Sequence, residues 1–312
     1  MDTKFQSSGA LAAAITKSAS KQTYYTIRFL VDRNRVADAY RAYGYFRWVD
    51  DVIDSGAGSD AERISFAHRQ KSLLDSCYRS GTFHDLSPEE RMLVDLVHND
   101  HENYSSLQIY LRNMMGVMVF DAERRGRLVS QAELAEYTNK LATAVTEAMY
   151  YFIGHDDPSP CHEARYMAVT AAHITHMLRD ALEDAEAGYF NIPAEVIRLR
   201  GISPKDVTSD PYREWVCGRV QLARGYFKAG RECTAQVRNL RCRLAAYAYT
   251  ARFEWMLNAI EKENYCLRCK YPERKSLQAA MWMAGSVLKE WIHLPALKVS
   301  HILALQPIRF GK

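Results

Sequence analysis

Tyr45-Phe46-Arg47-Trp48-Val49-Asp50-Asp51-Val52-Ile53-Asp54 is the stretch whose reading decides the fold. Asp50 and Asp54 are four residues apart, so on a helix they share one face with about 5–6 Å between their Cβ atoms. Like charges at that spacing repel unless a cation lies between them, and Arg47, one turn earlier, supplies part of what is needed. The flanking residues Tyr43, Tyr45, Phe46, Trp48, Val52 and Ile53 predict a largely buried helix, where isolated carboxylates are costly. A hard divalent ion resolves the conflict. Mg²⁺ accepts carboxylate oxygens and fills its remaining positions with water and substrate phosphate.

The arrangement recurs 130 residues later, in His176-Met177-Leu178-Arg179-Asp180-Ala181-Leu182-Glu183-Asp184. Asp180 and Asp184 are again four apart, an arginine again precedes them, and the apolar run Tyr166 to Ile174 leads in. One Asp-x-x-x-Asp reads as a solvated acidic face. Two, each behind an arginine and each on an apolar helix, read as facing clamps for Mg²⁺ ions that bridge a diphosphate, with Mn²⁺ as the alternative metal.

Outward from these segments almost everything follows helical period. Fifteen Gly and nine Pro among 312 residues gather at a few breaks, and no alternating, turn-bounded runs suggest strands. Helices are expected near 9–30, 33–54, 59–80, 88–99, 104–126, 131–153, 161–186, 193–200, 210–229, 231–263 and 274–290, with a short one at 295–305. Gly188 is an expected helix stop. With no linker and no internal repeat, the chain 1–312 reads as a single all-α domain, its core about 18–290.

Composition narrows the function. The net charge of +4 with dispersed bases gives no reason to expect nucleic acid. Seven cysteines at irregular spacing, with no signal sequence read before them, suggest reduced thiols and a cytoplasmic protein. Cys266 and Cys269 form a lone CxxC, read as helix-spaced packing residues. No apolar run reaches the ~18 residues of a membrane span, which leaves peripheral contact open. His98 and His101 lack metal-ligand spacing and read as a solvated helix end. Most of the 19 tyrosines read as core, with Tyr43 or Phe46 as candidates for lining a carbocation path.

The two acidic segments, and the exit Gly188-Tyr189-Phe190-Asn191-Ile192-Pro193, resemble the squalene/phytoene synthase family. Weaker similarity covers Lys21 to Tyr43, Phe120 to Gly154, and Asn264-Tyr265 with the basic pair Arg274-Lys275. The resemblance implies the isoprenoid synthase fold, helices around a central cavity, and head-to-head coupling of two C15 or C20 prenyl diphosphates, farnesyl or geranylgeranyl. By position it implies Mg²⁺ at Asp50, Asp54, Asp180 and Asp184, diphosphate contact from Arg47 and Arg179, Tyr137 near the reacting carbons and Tyr265 facing the diphosphate. It implies peripheral membrane contact for an apolar product. NADPH stays open, because the family's squalene synthases bind it without a Gly-x-Gly-x-x-Gly fingerprint, which this chain lacks.

Three positions depart from the family pattern. Ser20, followed by Lys21 and Thr23, stands where the family has His. His176 stands where it has Asn, and imidazole is the poorer Mg²⁺ ligand. Thr143-Ala144-Val145-Thr146 replaces a Gly-rich turn of helix, so Thr143 and Thr146 reshape the pocket. These departures keep two alternatives: a class I terpene cyclase acting on a single prenyl diphosphate, and a non-catalytic assembly or binding factor.

Overall fold

A computed structural model of the chain describes residues 7–55, 58–79, 81–83, 85–102, 104–154 and 163–292. Among the described residues the only regular elements are helices: α1 Ser8–Ala19, α2 Lys21–Leu30, α3 Val36–Asp54, α4 Asp60–Cys77, α5 Pro88–His98, α6 Ser106–Arg124, α7 Gln131–Ile153, α8 Ala164–Ala187, α9 Ala194–Arg200, α10 Asp210–Thr234, α11 Leu240–Lys262 and α12 Leu277–Ile292. Short 3₁₀ turns precede α3 and α12. The expected helix at 295–305 lies outside the described residues.

Local chemistry accounts for the boundaries. Ser59, Ser87 and Ser130 each accept from the backbone N–H three residues on, while Glu62, Glu90 and Glu133 reach back to the cap, three capping boxes that start α4, α5 and α7. Gly188 ends α8 with φ +92°, a left-handed conformation open to glycine.

Two boundaries differ from expectation. The helix expected at 9–30 breaks at Ser20, whose extended backbone closes α1 while its Oγ accepts from Thr23 N and caps α2. The break expected at residue 230 is absent, because Gly230 lies inside α10 against α8. A Cβ there would meet Ala168 N at 2.5 Å, so this glycine serves close packing. The true break falls at residues 235–239, where Asn239 caps α11.

The helices bury two apolar cores. One is built from α1 to α7, around Tyr45, Leu93, Leu107 and Leu111. The other joins α8, α10 and α11, around Leu178, Val216, Phe227 and Leu257. They meet along the α7–α8 seam, where Glu147 accepts from Arg165 at 2.7 Å and Tyr166 at 2.8 Å. Within the first core a buried polar chain ties three helices. Tyr45 Oη donates to Gln70, Gln70 donates to Glu90, and Arg69 meets both Glu90 oxygens at 3.0 and 3.1 Å.

Candidate active site

Each acid pair sits at the C-terminal part of a mostly buried helix, Asp50 and Asp54 on α3 and Asp180 and Asp184 on α8. Apolar packing of the rest of each helix fixes where the carboxylates emerge. Between the pairs stands a unit that the spacing of aspartates did not reveal. Asp121 and Arg124, near the end of α6, pair at 2.6 Å. Tyr137 Oη on α7 donates to Asp121 at 3.1 Å. Arg124 also donates to Asn191 Oδ1 at 3.0 Å, and Asn191 Nδ2 donates to Asp184 at 2.6 Å. Tyr189 Oη donates to Asp54 at 3.0 Å, so the turn after α8 reaches across to α3. The guanidinium of Arg124 lies over the rings of Tyr137 and Tyr189, 4.8 and 5.0 Å from their centroids.

The electrostatics show an excess of negative charge. Burial, reinforced by Asp54 and Asp121 and opposed by Arg47, pushes Asp50 up to about 6. Burial and Asp180 push Asp184 up to about 6, against the hydrogen bond from Asn191. Burial also raises Asp121 despite Arg124. Asp180 goes the other way. Burial works against its charge, but hydrogen bonds from Arg179 and His176 hold it well below the ordinary range. The His176 contact is 3.0 Å.

Among the described residues no group of three or more His, Cys, Asp or Glu is arranged to hold an ion unaided. The oxygen-only acid pairs, in which the charges of Asp50 and Asp184 are disfavoured by their surroundings, fit Mg²⁺ in the manner it prefers, with one or two carboxylates and the remaining positions taken by substrate phosphate and water.

Arg179 links this polar centre to an apolar cavity. It contacts Asp180 and lines a space of about 820 Å³ between α2, α11 and α12, with Leu30, Leu244, Tyr249, Phe253 and Met256 among its walls. The cavity is therefore set to one side of the acid pairs. Of the candidate residues named from sequence, Arg179 is the one that lines it.

The others fall in several places. Arg47 pairs with Asp50 at 3.3 Å and with Asp51, keeping its charge beside the first acid pair. Tyr137 is buried at the junction, its ring 5.1 Å from that of His173. Phe46 packs edge-on against Tyr45 and Tyr110 in the first core, and Tyr43 is partly buried against the same core. Ser20 and Thr23 bond to each other in the α2 cap, and Lys21 is exposed beside them. Thr143 is half-buried, and Thr146 is buried with its hydroxyl unpaired. Tyr265, in a left-handed turn after α11, is placed beside Cys217, with Glu261 and Arg224 nearby. Arg274 and Lys275 lie in the turn before α12, and their side chains are outside the described part. Cys266 and Cys269 follow α11 in a loop, so they are not helix-packing residues. His98 ends α5, exposed, as expected.

The family model for squalene/phytoene synthase matches residues 16–279. The chain belongs to the squalene/phytoene synthase family. Members of the family transfer prenyl groups. A presqualene diphosphate synthase of Zymomonas mobilis is 26% identical over 208 residues, 66% of this chain and 68% of that protein. A chloroplastic phytoene synthase of Daucus carota is 30% identical over 266 residues, 78% of this chain and 61% of that protein, so the match leaves more than a third of the carrot synthase unmatched. A solved dehydrosqualene synthase superposes with a TM-score of 0.67 at 16% identity, covering 93% of this chain and 98% of that one. The squalene/phytoene synthase architecture, the all-α isoprenoid synthase fold, is therefore the fold of this chain.

Proposed function

We propose that the chain couples two prenyl diphosphates head to head in a Mg²⁺-dependent reaction, giving a squalene- or phytoene-like product. The observation that carries this reading is the position of Arg179, which touches the Asp180 carboxylate and also lines the apolar cavity. A diphosphate at the acids and its hydrocarbon tail in the cavity would meet at that guanidinium. Family membership and the printed activities of the Zymomonas and carrot relatives support the same reading.

Asp50, Asp54, Asp180 and Asp184 would hold Mg²⁺, which when bound neutralises the diphosphate as it leaves. The chain's own residues do the rest. Arg179 holds positive charge where the leaving group separates from its tail, and Arg124, tied to Asp184 through Asn191, steadies the second acid pair. The apolar cavity keeps water from the allylic cation, and the rings of Tyr249 and Phe253 present faces that attract positive charge. The acceptor's double bond then attacks C1 of the donor. C–C bonds form, the donor's C–O bond breaks and one proton leaves, giving a cyclopropylcarbinyl diphosphate. Ionisation of that second diphosphate breaks its C–O bond and permits rearrangement to a linear cation, which loses a proton to give a phytoene-like product or takes hydride from NADPH to give a squalene-like one.

The test is incubation with farnesyl or geranylgeranyl diphosphate and Mg²⁺, with and without NADPH, followed by product analysis. A linear hydrocarbon of doubled length, or its cyclopropyl diphosphate precursor, is expected. A cyclic hydrocarbon from one substrate would assign the chain to the cyclase alternative. Tight binding without diphosphate release, at both chain lengths, would assign it to a binding role.

A further inference from the structure

Closing a cyclopropane ring in the reaction proposed above releases one proton, so a proton acceptor must stand beside the reacting carbons. Asp50, Asp54, Asp180 and Asp184 are the proposed Mg²⁺ ligands. Asp121 is already engaged, accepting from Tyr137 and pairing with Arg124. Tyr137 is a phenol that burial and Asp121 hold protonated.

One basic side chain on the acid-bearing face of α8 has no such task. His173 is buried, and among the described residues neither its Nδ1 nor its Nε2 has a hydrogen-bond partner. Buried polar atoms are seldom left so, because an unmade hydrogen bond costs free energy that the packing must offset. His173, Asp180 and Asp184 stand at i, i+7 and i+11 of one helix, which puts all three on one face. His173 precedes Asp180 by two turns, about 10 Å along the axis. His176 shares that face, but it is held by Asp180 at 3.0 Å. Beside His173 lies the Tyr137 ring, 5.1 Å away between centroids, and the Phe120 ring is 5.2 Å from that of Tyr137. Aromatic faces set in from the carboxylates suit the allylic end of a chain whose diphosphate is held at them.

A neutral imidazole carries one N–H and one lone pair. Burial, and then His176, Arg124 and Arg219, hold the His173 imidazole well below its ordinary range, so its lone pair is free at neutral pH. A weak base suffices here, since a C–H bond next to a carbocation is a very strong acid. The same cationic neighbours then favour giving the proton up again.

We propose that His173 is the proton acceptor of the coupling step, an inference that rests on the function proposed above. The donor's C1–O bond breaks, C1 bonds to C2 of the acceptor, and positive charge moves to the acceptor's C3. A ring nitrogen of His173 takes a proton from the donor's C1, and the electron pair of that C–H bond closes the ring between C1 and C3. The products are the cyclopropylcarbinyl diphosphate, free diphosphate and an imidazolium, which passes its proton to the free diphosphate.

His173→Gln keeps a polar side chain that cannot take up a proton. With farnesyl or geranylgeranyl diphosphate and Mg²⁺, its yield of coupled product should fall about 10²-fold or more. Ionisation should survive, read as migration of an oxygen-isotope label from the bridging to the non-bridging positions of the substrate diphosphate when the ion pair recombines. Normal coupling by the variant overturns the inference and gives the proton to the diphosphate directly. Coupling and label migration lost together overturn it too, and make His173 a packing residue. His173→Ala with added imidazole is the second test, should the glutamine variant fail to fold. Coupling restored by the free base supports the assignment, and coupling that imidazole leaves unchanged overturns it. A wild-type chain that couples neither substrate sinks the proposed reaction and this step together, whereas wild-type coupling that the variants retain sinks this step alone.

Discussion

Asp50 sits where its surroundings disfavour its charge. Burial, Asp54 and Asp121 all disfavour its charge, and only Arg47 favours it. Asp50→Asn removes that repulsion, so the ligand-free protein should melt about 1–3 °C higher. The same change removes a proposed Mg²⁺ ligand, and turnover should fall about 10²–10³-fold. Calorimetry and a diphosphate-release assay on one preparation check both signs. A lower melting temperature with normal turnover would make the residue structural. The acid pairs themselves were readable because two carboxylates at i, i+4 on an apolar helix have few explanations. Asp121 and Arg124 were not. A single Asp three residues before an Arg reads as an ordinary surface ion pair, and Arg124 reads as one member of the basic run Arg124-Arg125-Gly126-Arg127. Their burial depends on α7 and the turn after α8 closing over them, a long-range fact that no local pattern carries.

At the scale of elements, α10 and α8 owe their close approach to Gly230. A methyl group there would stand 2.5 Å from Ala168 N and 2.7 Å from its Cβ, and neither atom belongs to a flexible side-chain end. Gly230→Ala should therefore destabilise the protein by about 1–3 kcal/mol, despite alanine's better helix propensity, and chemical denaturation would measure it. An increase in stability would show that α10 can shift at no cost. Sequence reading put a helix boundary at this glycine because glycine ordinarily weakens helices, and the packing reason becomes visible only once α8 is in place. Elsewhere two helix starts were legible where a Ser and a Glu three residues on announced a capping box. Ser87 with Glu90 and Ser130 with Glu133 fix the starts of α5 and α7 at the residues expected. The break at Ser20 was hidden because apolar periodicity runs through it, and a lone Ser is too common to signal a cap.

For the molecule as a whole, part of the acid stability rests on Glu90, which joins α5 to α4 and, through Gln70, to α3. Burial alone would raise its pKa. Hydrogen bonds from Arg69, Ser87 N and Gln70 more than offset that, and hold it below the ordinary 4.5. A carboxylate depressed in the folded state contributes stability above its unfolded pKa and loses it as pH falls through the folded value. The stability that Glu90 contributes should therefore be lost progressively below about pH 4.5. Glu90→Gln should be less stable at pH 7 by about 1–3 kcal/mol and lose part of that acid dependence. Urea melts from pH 3.5 to 7, about the span of one carboxylate titration, check this, and parallel pH profiles for both proteins would refute it.

The two cores have a mechanical consequence. α3 grows from one and α8 from the other, so the opening between the acid pairs is a property of neither helix. It works as the gap of a vise does, set by the frame behind the jaws. That frame is the α7–α8 seam, gripped by Tyr137 against His173 toward one end and by Glu147 against Arg165 and Tyr166 toward the other. The calibration of this site thus resides in the seam behind the carboxylates as well as in the carboxylates themselves.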